Sequence, residues 1–364
     1  MKNWIARLAR LMIILLFIAT FIGLVAADKW WIQGFDFPRL QFAILLVIAL
    51  ILLFSAKSKH LWAYAAAGIA ALAFQLYQVV PYFGVAPEQA AAADSCAVDS
   101  QFTVLNLNVL QTNRDYDRTL ALVADVDPDI FLAMETDGGW VEALDTLRAG
   151  YPHGEAVALD NKYGMAIYSR VPLSEFERQA MAGGETPAFR MRVELADGSR
   201  PTLFTVHPQP PHPGQSSGQR DAELIMLSDL VRESGRPTLV MGDFNDVPWS
   251  SVTESFQRVG QLVDARRGRG FMATFDATNP MMRWPLDHLF FTDDFGVMQF
   301  ETGPDVGSDH YPLIATLCQN GERFDAEQDV PELDQGAREE AVEQLRQADE
   351  VDAEETADDL TTPG

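Results

Sequence analysis

The sequence contains few cysteines and few basic residues. Only two cysteines occur in 364 residues, and they form no Cys/His cluster of the kind that binds zinc. Lys and Arg together number 27 against 52 Asp and Glu, which gives a formal net charge of −25. Because non-specific binding of a polyanion depends on Lys and Arg, this balance argues against a general nuclease without excluding one.

Composition divides the chain into unequal regions. Residues 1–100 carry three long apolar runs, and residues 101–320 have the mixed composition of a globular domain. Residues 321–364 hold 16 acidic against 3 basic residues and few apolar ones. We therefore predict a transmembrane anchor over 1–84, a small and polar linker over 85–100, one domain over 101–320, and an acidic disordered tail over 321–364. A weak helix at Ala337–Ala348 is the alternative to disorder in the tail.

The three apolar runs fit, or nearly fit, the thickness of a bilayer core. They predict membrane spans at about residues 8–27, 40–56 and 61–84. Basic residues precede the first span and lie between the second and third, at Lys2, Arg7, Arg10, Lys57 and Lys59. By the positive-inside rule these two segments face the cytoplasm. The sequence thus predicts a multi-pass protein of a bacterial inner membrane with an extracytoplasmic domain.

The first apolar run has a second interpretation. A signal peptide cut after Val25-Ala-Ala27 would leave the other two runs as a helical hairpin. This alternative changes the number of spans from three to two. The domain stays on the same side of the membrane in either case.

Strand-like and helix-like segments alternate after residue 100. Alternating and apolar runs predict strands at Phe102–Val109, Ile130–Met134, Tyr163–Tyr168, Phe189–Leu195, Thr202–Val206, Pro237–Met241, Leu286–Phe291 and Pro312–Leu317. Helical periodicity predicts helices at Asp115–Asp125, Trp140–Arg148 and Arg220–Glu233. This order indicates an α+β domain in which sheets pack on each other and are covered by helices.

Asn, Asp, Glu and His residues recur where the predicted strands end. Asp243 and Asn245 follow a buried strand at i and i+2, so they can project the same way. Such a pair can orient an attacking water and donate a hydrogen bond to the oxyanion of the reaction. The alternative is an Asx turn. Comparable positions hold Asn108, Glu135, His207, Asp287, Asp309 and His310.

These residues lie in short motifs with a fixed order: Leu-Asn-Val at 107–109, Met-Glu at 134–135, Gly-Met-Ala-Ile-Tyr-Ser-Arg at 164–170, Val-His at 206–207, Gly-Asp-Phe-Asn at 242–245, Leu-Asp-His at 286–288 and Ser-Asp-His at 308–310. The ordered set resembles the endonuclease/exonuclease/phosphatase superfamily of deoxyribonuclease-like, metal-dependent phosphoesterases, over about residues 101–318. The resemblance implies a four-layer αββα sandwich whose active site lies where the loops of two sheets meet. The spans before the domain are similar to those of a membrane-anchored, three-span subgroup.

The resemblance also implies a metal centre. Asn108 and Glu135 match the metal ligands, with Glu135 the principal one, and Asp309 matches a further carboxylate on the metal side. Hard oxygen ligands of this kind suit Mg²⁺ or Mn²⁺.

The catalytic groups follow from the same resemblance. Asp243 would activate or position the attacking water, and Asn245 would stabilise the equatorial oxygens of the transition state. His310 would contact the scissile phosphate, while Asp287 fixes its tautomer and favours its imidazolium form. His207 matches a histidine near the leaving group, although the glutamate that pairs with it in the deoxyribonuclease-like branch has no counterpart that the sequence identifies.

Three arginines are candidates for substrate binding. Arg170 ends a predicted strand and either helps to orient the site or forms a structural salt bridge. Arg266 and Arg267 belong, with Arg269, to the dense basic patch of the domain. This patch contacts substrate phosphate or anionic head groups in one interpretation and is a solvated loop in the other.

The two cysteines flank the domain. If Asn108 and His310 share the active-site edge, the first and last strands are antiparallel, and Cys96 and Cys318 lie together at the opposite edge. In the chain-entropy model, a disulfide closing so long a loop is worth about 4–5 kcal/mol. Such a bond requires an oxidising compartment, in agreement with the predicted topology.

These features predict a membrane-anchored phosphoesterase that uses Mg²⁺ or Mn²⁺ and hydrolyses a phosphoester or diphosphate of a lipid or envelope-linked substrate. The anchor and the negative charge favour a substrate at the membrane surface over nucleic acid. One alternative is an extracytoplasmic nuclease acting on DNA or RNA. Another is a binding module without activity, and the full set of candidate site residues argues against it.

Overall fold

The computed structural model describes residues 2–24, 29–56, 59–180, 186–210, 217–319, 324 and 329–346. Its helices are α1 (Lys2–Ile22), α2 (Trp30–Gln33), α3 (Arg39–Ser55), α4 (Leu61–Val79), α5 (Tyr116–Val126), α6 (Gly138–Leu144), α7 (Gly218–Ser234), α8 (Ser251–Gly260) and α9 (335–346). Its strands are β1 (Gln101–Asn108), β2 (Ile130–Met134), β3 (Ala156–Val157), β4 (Met165–Ser169), β5 (Leu173–Ala180), β6 (Pro187–Val193), β7 (Thr202–Val206), β8 (Thr238–Asp243), β9 (Val263–Asp264), β10 (Asp287–Phe291), β11 (Phe295–Thr302) and β12 (Leu313–Gln319).

The strands form two six-stranded mixed sheets. The first sheet has the order β11-β12-β1-β2-β4-β3, and the second has the order β5-β6-β7-β8-β10-β9. In the first sheet β1 is parallel to β2, and in the second β7 is parallel to β8. The other pairs among these strands are antiparallel.

The two sheets pack face to face between helices. One buried cluster joins side chains of both sheets, among them Val104, Leu132, Leu239 and Leu289. A second cluster packs α5 and α6 on the outside of the first sheet, and a third packs α7 and α8 on the outside of the second. The predicted sandwich of two sheets between helical layers is thus confirmed.

Alternation along β1 fills the core and then leads to a polar end. Leu105 points to the outer helices and Val104 to the opposite sheet. Because successive side chains of a strand alternate, Asn106 and Asn108 continue the inward row of Val104. The inner face of β1 therefore changes from apolar to polar at one end of the sandwich.

The long helices α1, α3 and α4 pack together before the domain. Their contact is made by small and branched side chains, including Ala9, Ile13, Ala49, Leu50 and Ala65. Within the described residues, two helices are long and apolar enough to cross a membrane, Asn3–Ile22 and Leu61–Tyr82, whereas Arg39–Ser55 is shorter. These helices are compatible with a membrane anchor or a signal sequence. The cleavage motif at 25–27 lies outside the described residues.

The sandwich lies against the ends of these helices, at a contact that we call the junction. The Trp249 indole donates to the Asp36 carbonyl at 2.7 Å, and the Tyr82 hydroxyl donates to the Pro248 carbonyl at 2.8 Å. Both helix-side residues lie at the same end of the bundle, in the connection before α3 and just after α4. Buried hydrogen bonds of this kind fix the bundle against one edge of the domain.

Residues 85–100 differ from the free tether that their composition predicts. Ala93 donates its backbone N–H to the Val297 carbonyl at 2.9 Å, and Val297 donates to Ala91 at 2.8 Å. Ala90, Ala91 and Ala93 are buried. The segment therefore lies against β11 as part of the domain.

The tail also contains ordered structure. Residues 335–346 form α9, in which Ala341 packs on Ile225 of α7 and Val259 of α8. Glu340 forms a 2.5 Å ion pair with Arg258. This part therefore has the weak helix that the sequence offers as the alternative to disorder, while residues 347–364 lie outside the described residues.

Cys96 and Cys318 form a disulfide across 222 residues of sequence, with their Cα atoms 5.9 Å apart. Gln101 of β1 pairs with Cys318 of the antiparallel β12. The two cysteines thus lie at the sheet edge remote from Asn108, as the antiparallel arrangement of the first and last strands requires.

Candidate active site

The polar ends of four elements converge between the two sheets. Asp243 continues the inward row of β8 after Met241, and Asp287 precedes Leu289 in the inward row of β10. The two aspartates are directly paired in the β8–β10 register. Because the inner faces of both sheets end here, side chains of β1 and of the loop before β12 reach the same point.

Gly242 makes this arrangement possible. Its φ is 154°, and a Cβ at this position would lie 1.9 Å from the Val206 carbonyl oxygen of β7. Only glycine permits this approach of the two backbones. The glycine of the Gly-Asp-Phe-Asn motif therefore serves packing, and the aspartate that follows it serves the site.

Asp243, Asp287 and His310 form the buried part of the site, which we call the inner cluster. Asp243 and Asp287 are fully buried and His310 is 4% exposed. His310 Nδ1 lies 2.8 Å from Asp287 Oδ2, a hydrogen-bond distance. His310 Nε2 lies 3.6 Å from Asp243 Oδ2, beyond normal hydrogen-bond length. The imidazole is thus held on one side and directs its other nitrogen into the site.

The carboxylates hold His310 in its protonated form. Burial alone lowers the pKa of His310, but the carboxylates of Asp287 and Asp243 outweigh it and raise the pKa to about 10. Burial raises the pKa of Asp243, which His310 lowers and Asp287 raises further. The His310–Asp287 pair therefore presents an imidazolium N–H at neutral pH.

Glu135, Asn245 and Asp309 form the partly exposed side, which we call the outer rim. Glu135 has φ 61° and Asn245 has φ 50°, both in the left-handed region that non-glycine residues seldom adopt. Each turns the chain sharply just after a strand, so that its side chain lies over the strand end. These conformations explain how two strands deliver a rim residue directly beside the inner cluster.

Asn108 connects the rim to the inner cluster. Its amide nitrogen donates to Glu135 Oε1 at 3.2 Å and to Asp243 Oδ2 at 3.1 Å. The other oxygen of Glu135 accepts from the backbone N–H of Gln111 at 3.1 Å. Burial and the Glu135 carboxylate raise the pKa of Asp309, although the neighbouring His310 lowers it. Glu135 and Asp309 therefore place two carboxylates beside Asn108, whose own carboxamide oxygen accepts from the Leu110 N–H at 3.0 Å.

This donor set fits a divalent cation. Asp243, Asp287 and His310 also offer atoms within 4.8 Å of one another, and could hold a metal by distance alone. The imidazolium form of His310, which its carboxylates favour, has no lone pair to give. The carboxylates of Glu135 and Asp309 are partly exposed and offer oxygen ligands, which favour Mg²⁺ or Mn²⁺.

Asn245 and His207 complete the site. The Asn245 backbone N–H donates to Asp243 Oδ1 at 2.9 Å, which is the predicted Asx turn, and its side-chain amide donates to the Pro208 carbonyl at 2.9 Å. His207 Nε2 lies 3.7 Å from Asp243 Oδ2. The turn and the catalytic interpretation of this motif are therefore compatible, because one geometry produces both.

The sequence pattern of the Endonuclease/Exonuclease/phosphatase family matches residues 103–310, more than half of the chain. The chain belongs to this family. The matched region contains every site residue described above and ends at His310. Membership of the family, together with the site chemistry, supports a hydrolase acting on phosphoesters.

Solved structures of the family share the fold. An endonuclease/exonuclease/phosphatase family protein from Bacteroides thetaiotaomicron has a TM-score of 0.50 and 20% identity, covering 60% of this chain and 98% of that one. The catalytic domain of human Nocturnin with a bound sulfate has a TM-score of 0.50 and 18% identity, with coverages of 62% and 97%. D. rerio TDP2 with a single-strand DNA product has a TM-score of 0.51 and 17% identity, with coverages of 60% and 99%. Comparison with curated proteins gives no match.

The structure does not bring the three candidate arginines to the site. Arg170 follows β4 at the end paired with Ile130, the opposite end from Glu135, and forms an ion pair with Asp127. Arg266 is fully buried behind β10, where it contacts His288 Nδ1 at 3.3 Å. Arg267 lines a separate cavity beside the end of α4 and α8. The basic patch predicted from sequence is thus divided between the core and the junction.

Three further residues support the site. Asn106 donates to Asp287 Oδ1 at 3.3 Å, and the Ser308 hydroxyl donates to the Asn108 carbonyl at 2.7 Å while accepting from the His310 N–H at 3.0 Å. Thr274 Oγ1 accepts the Asp287 N–H at 3.1 Å. Alternation from Asn108 identifies Asn106, whereas nothing local to Thr274 in the sequence indicates its role.

Proposed function

We propose that this protein is a membrane-anchored, Mg²⁺- or Mn²⁺-dependent phosphoesterase that hydrolyses a phosphoester or diphosphate of a lipid or envelope-linked substrate. The supporting observation is a series of aromatic contacts that connects the inner cluster to the junction. Phe37, which precedes α3, packs edge-on against Trp284 with ring centroids 5.6 Å apart. Trp284 stacks on Phe275 at 6.1 Å, and Phe275 lies 5.0 Å from the His310 ring.

This row of aromatic rings connects the site to one end of the helix bundle. The helices of the bundle expose large apolar side chains around their outer surface, as helices in contact with lipid do. If the bundle spans a bilayer, His310 lies about three ring contacts from the end of a span. A lipid phosphate is therefore held at the membrane surface near the site, whereas a soluble polymer is not. The net charge of −25 further disfavours a polyanionic substrate.

The side chains assign a role to each catalytic step. Asp243 lies where it can accept a proton from water while the water oxygen bonds to phosphorus. The His310 imidazolium donates its Nε2–H to a phosphate oxygen as negative charge develops and the bond to the leaving group breaks. Asp287 holds the tautomer, and His207 lies on the other side of Asp243. Glu135 and Asp309 would hold a divalent cation, which would supply positive charge to the phosphate.

The proposal includes three spans and an extracytoplasmic domain. The connection before α3 and the segment after α4 both contact the sandwich, so they lie on one side, as an arrangement of three spans requires. Arg7 and Arg10 lie in the half of α1 that is remote from the junction. The disulfide is of a kind that persists in oxidising compartments and supports this orientation. Reporter fusions to residue 330 would test it, since an alkaline phosphatase fusion is active only outside the cytoplasm.

The full-length protein in lipid nanodiscs tests the activity. Phosphate release would be measured with Mg²⁺, Mn²⁺ or chelator on a polyprenyl diphosphate, a phospholipid, bis-aryl phosphate and plasmid DNA. Asp243→Asn removes the base of the inner cluster, and Asp229→Asn on the exposed surface of α7 is the matched control. We expect metal-dependent turnover of a lipid substrate that only Asp243→Asn abolishes. Faster turnover of DNA than of either lipid would contradict the proposal.

The second candidate function is a nuclease. It is favoured by the fold shared with D. rerio TDP2, whose structure contains a single-strand DNA product. The same panel of substrates decides between the two functions, because both use the same side chains. A folded protein without turnover on any substrate would indicate a binding module.

A further inference from the structure

An apolar cavity of about 870 Å³ lies between α3 and the catalytic domain. The α3 side is formed by Leu40, Ile44 and Leu45, and the domain side includes Phe271, Met281 and Tyr311. Its volume falls within the range of about 300–1,000 Å³ that is typical of ligand sites. The cavity is therefore large enough for a ligand and is shared between the bundle and the sandwich.

The α3 wall of the cavity continues into the outer surface of the bundle. Ile44 is 53% and Leu45 is 40% exposed, and both lie within the apolar run of α3. The same helix exposes further apolar side chains beyond the cavity, such as Ile48 and Ile51. A hydrocarbon chain in contact with this helix can thus enter the cavity without crossing a polar surface.

The domain wall includes the residue that follows the histidine of the inner cluster. Tyr311 lines the cavity and directly follows His310 in sequence. Arg283, also in the lining, donates to the Tyr311 hydroxyl at 2.9 Å. Among the described residues Arg283 forms no ion pair, and its buried Nε has no hydrogen-bond partner. The cavity therefore combines an apolar wall with an arginine whose guanidinium lies over the Tyr311 ring, 5.0 Å from its centroid.

We propose that this cavity binds one hydrocarbon chain of the lipid substrate and that Arg283 contacts the phosphate attached to it. This inference rests on the proposed function and specifies how the lipid is recognised. The chain lies against Ile44 and Leu45, while its phosphate end passes Tyr311 to reach His310. The continuity of the cavity with the apolar surface of α3 favours a membrane lipid over a soluble peptide, because only a lipid is already present at that surface.

Alkyl 4-nitrophenyl phosphates of different chain length test this proposal. The ethyl, butyl, octyl, dodecyl and hexadecyl esters share one reacting centre, and release of nitrophenolate measures turnover by the full-length protein in nanodiscs. We expect kcat/KM to rise with chain length, by up to about fourfold per methylene while the chain fills the cavity. The same rate for every ester would overturn the proposal.

A substitution in the cavity separates binding from partition into the lipid. Ile44→Trp places a larger side chain in the cavity, and we expect the ratio of kcat/KM for hexadecyl to ethyl ester to fall at least about tenfold. Ile51→Trp is the matched control, because Ile51 lies two turns further along the same helix face, is 62% exposed and is not part of the lining. Equal ratios in the two variants would mean that chain length acts through the bilayer, which contradicts the proposal.

A measurement on the unmodified protein avoids any effect of substitution on folding. A phospholipid with a diazirine on its alkyl chain would be photolysed in nanodiscs with the protein, and labelled peptides mapped. We expect labelling of residues 271–283 of the domain as well as of 40–45. Labelling confined to the three helices would contradict the proposal.

The outcomes distinguish the two levels of inference. Hydrolysis of lipid phosphoesters without dependence on chain length or on Ile44 would leave the proposed function intact and remove this inference alone. Hydrolysis of DNA without hydrolysis of any alkyl ester would overturn the proposed function and this inference together.

Discussion

The inner cluster and the outer rim lie side by side, but they are built in different ways. Asp243, Asp287 and His310 are buried and held by paired strands and hydrogen bonds. Glu135 and Asp309 are partly exposed and follow sharp turns of the chain. Burial keeps the proton on His310, because it strengthens the interaction of the imidazolium with its carboxylates. Exposure keeps the rim within reach of solvent, from which a cation can exchange.

The comparison predicts the largest effect for the inner cluster. His310→Ala removes the N–H aimed at the phosphate, and we expect kcat to fall by about 10²–10³-fold. Because His310 is not a cation ligand in this arrangement, the Mg²⁺ concentration that gives half-maximal activity should stay within about twofold. Titration of activity with Mg²⁺ in both proteins measures the two quantities. A large shift of that midpoint would place His310 on the metal.

The rim should show the reverse behaviour. Glu135→Gln keeps the size of the side chain but removes its charge, and we expect apparent Mg²⁺ affinity to fall by about 10–100-fold. Excess Mg²⁺ should restore much of kcat, since the inner cluster is intact. Isothermal titration with Mg²⁺ provides a readout that does not depend on turnover. Glu142→Gln, in the exposed part of α6, is the control and should bind Mg²⁺ as the natural protein does.

A smaller effect concerns pH. The pKa of His310 is raised to about 10, so its imidazolium persists as pH rises through neutrality and is lost only near that value. Asp287→Asn removes the first of the two carboxylates that raise this pKa, so the pKa moves toward the ordinary value of about 6.5. We expect the alkaline limb of kcat/KM to shift to lower pH in this variant. An unchanged limb would show that another group controls it.

Much of the site follows from the sequence because its residues lie on period-two rows. Asp243, Asp287 and Asn108 each continue an apolar row that local alternation reveals. Arg266 shows the limit of this reasoning. A cluster of arginines with glycines suggests a surface loop, but Arg266 is buried and contacts a backbone carbonyl and a histidine of β10, more than 20 residues away. Partners brought by tertiary folding are invisible in a local pattern.

The contacts of residues 85–100 and of α9 cannot be predicted from the sequence for a similar reason. Small and acidic residues bury little apolar area, and the composition of both segments indicates this. Ala93 nevertheless pairs through its backbone with Val297, and α9 places Ala341 on α7 and α8. Backbone hydrogen bonds and small-residue contacts depend on what lies opposite. These contacts therefore cannot be predicted from the residues of the segment alone.

The Cys96–Cys318 disulfide has a consequence for release of the domain by proteases. Cys96 lies just before β1, and Cys318 lies in the last strand. A cut in any loop between them leaves both fragments covalently joined, with the N-terminal fragment still attached to the helices. Only a cut before residue 96 separates the sandwich from the bundle, and the segment in question is packed against β11. The enzyme should therefore survive nicking in place, and its shedding would require prior unfolding of residues 85–95.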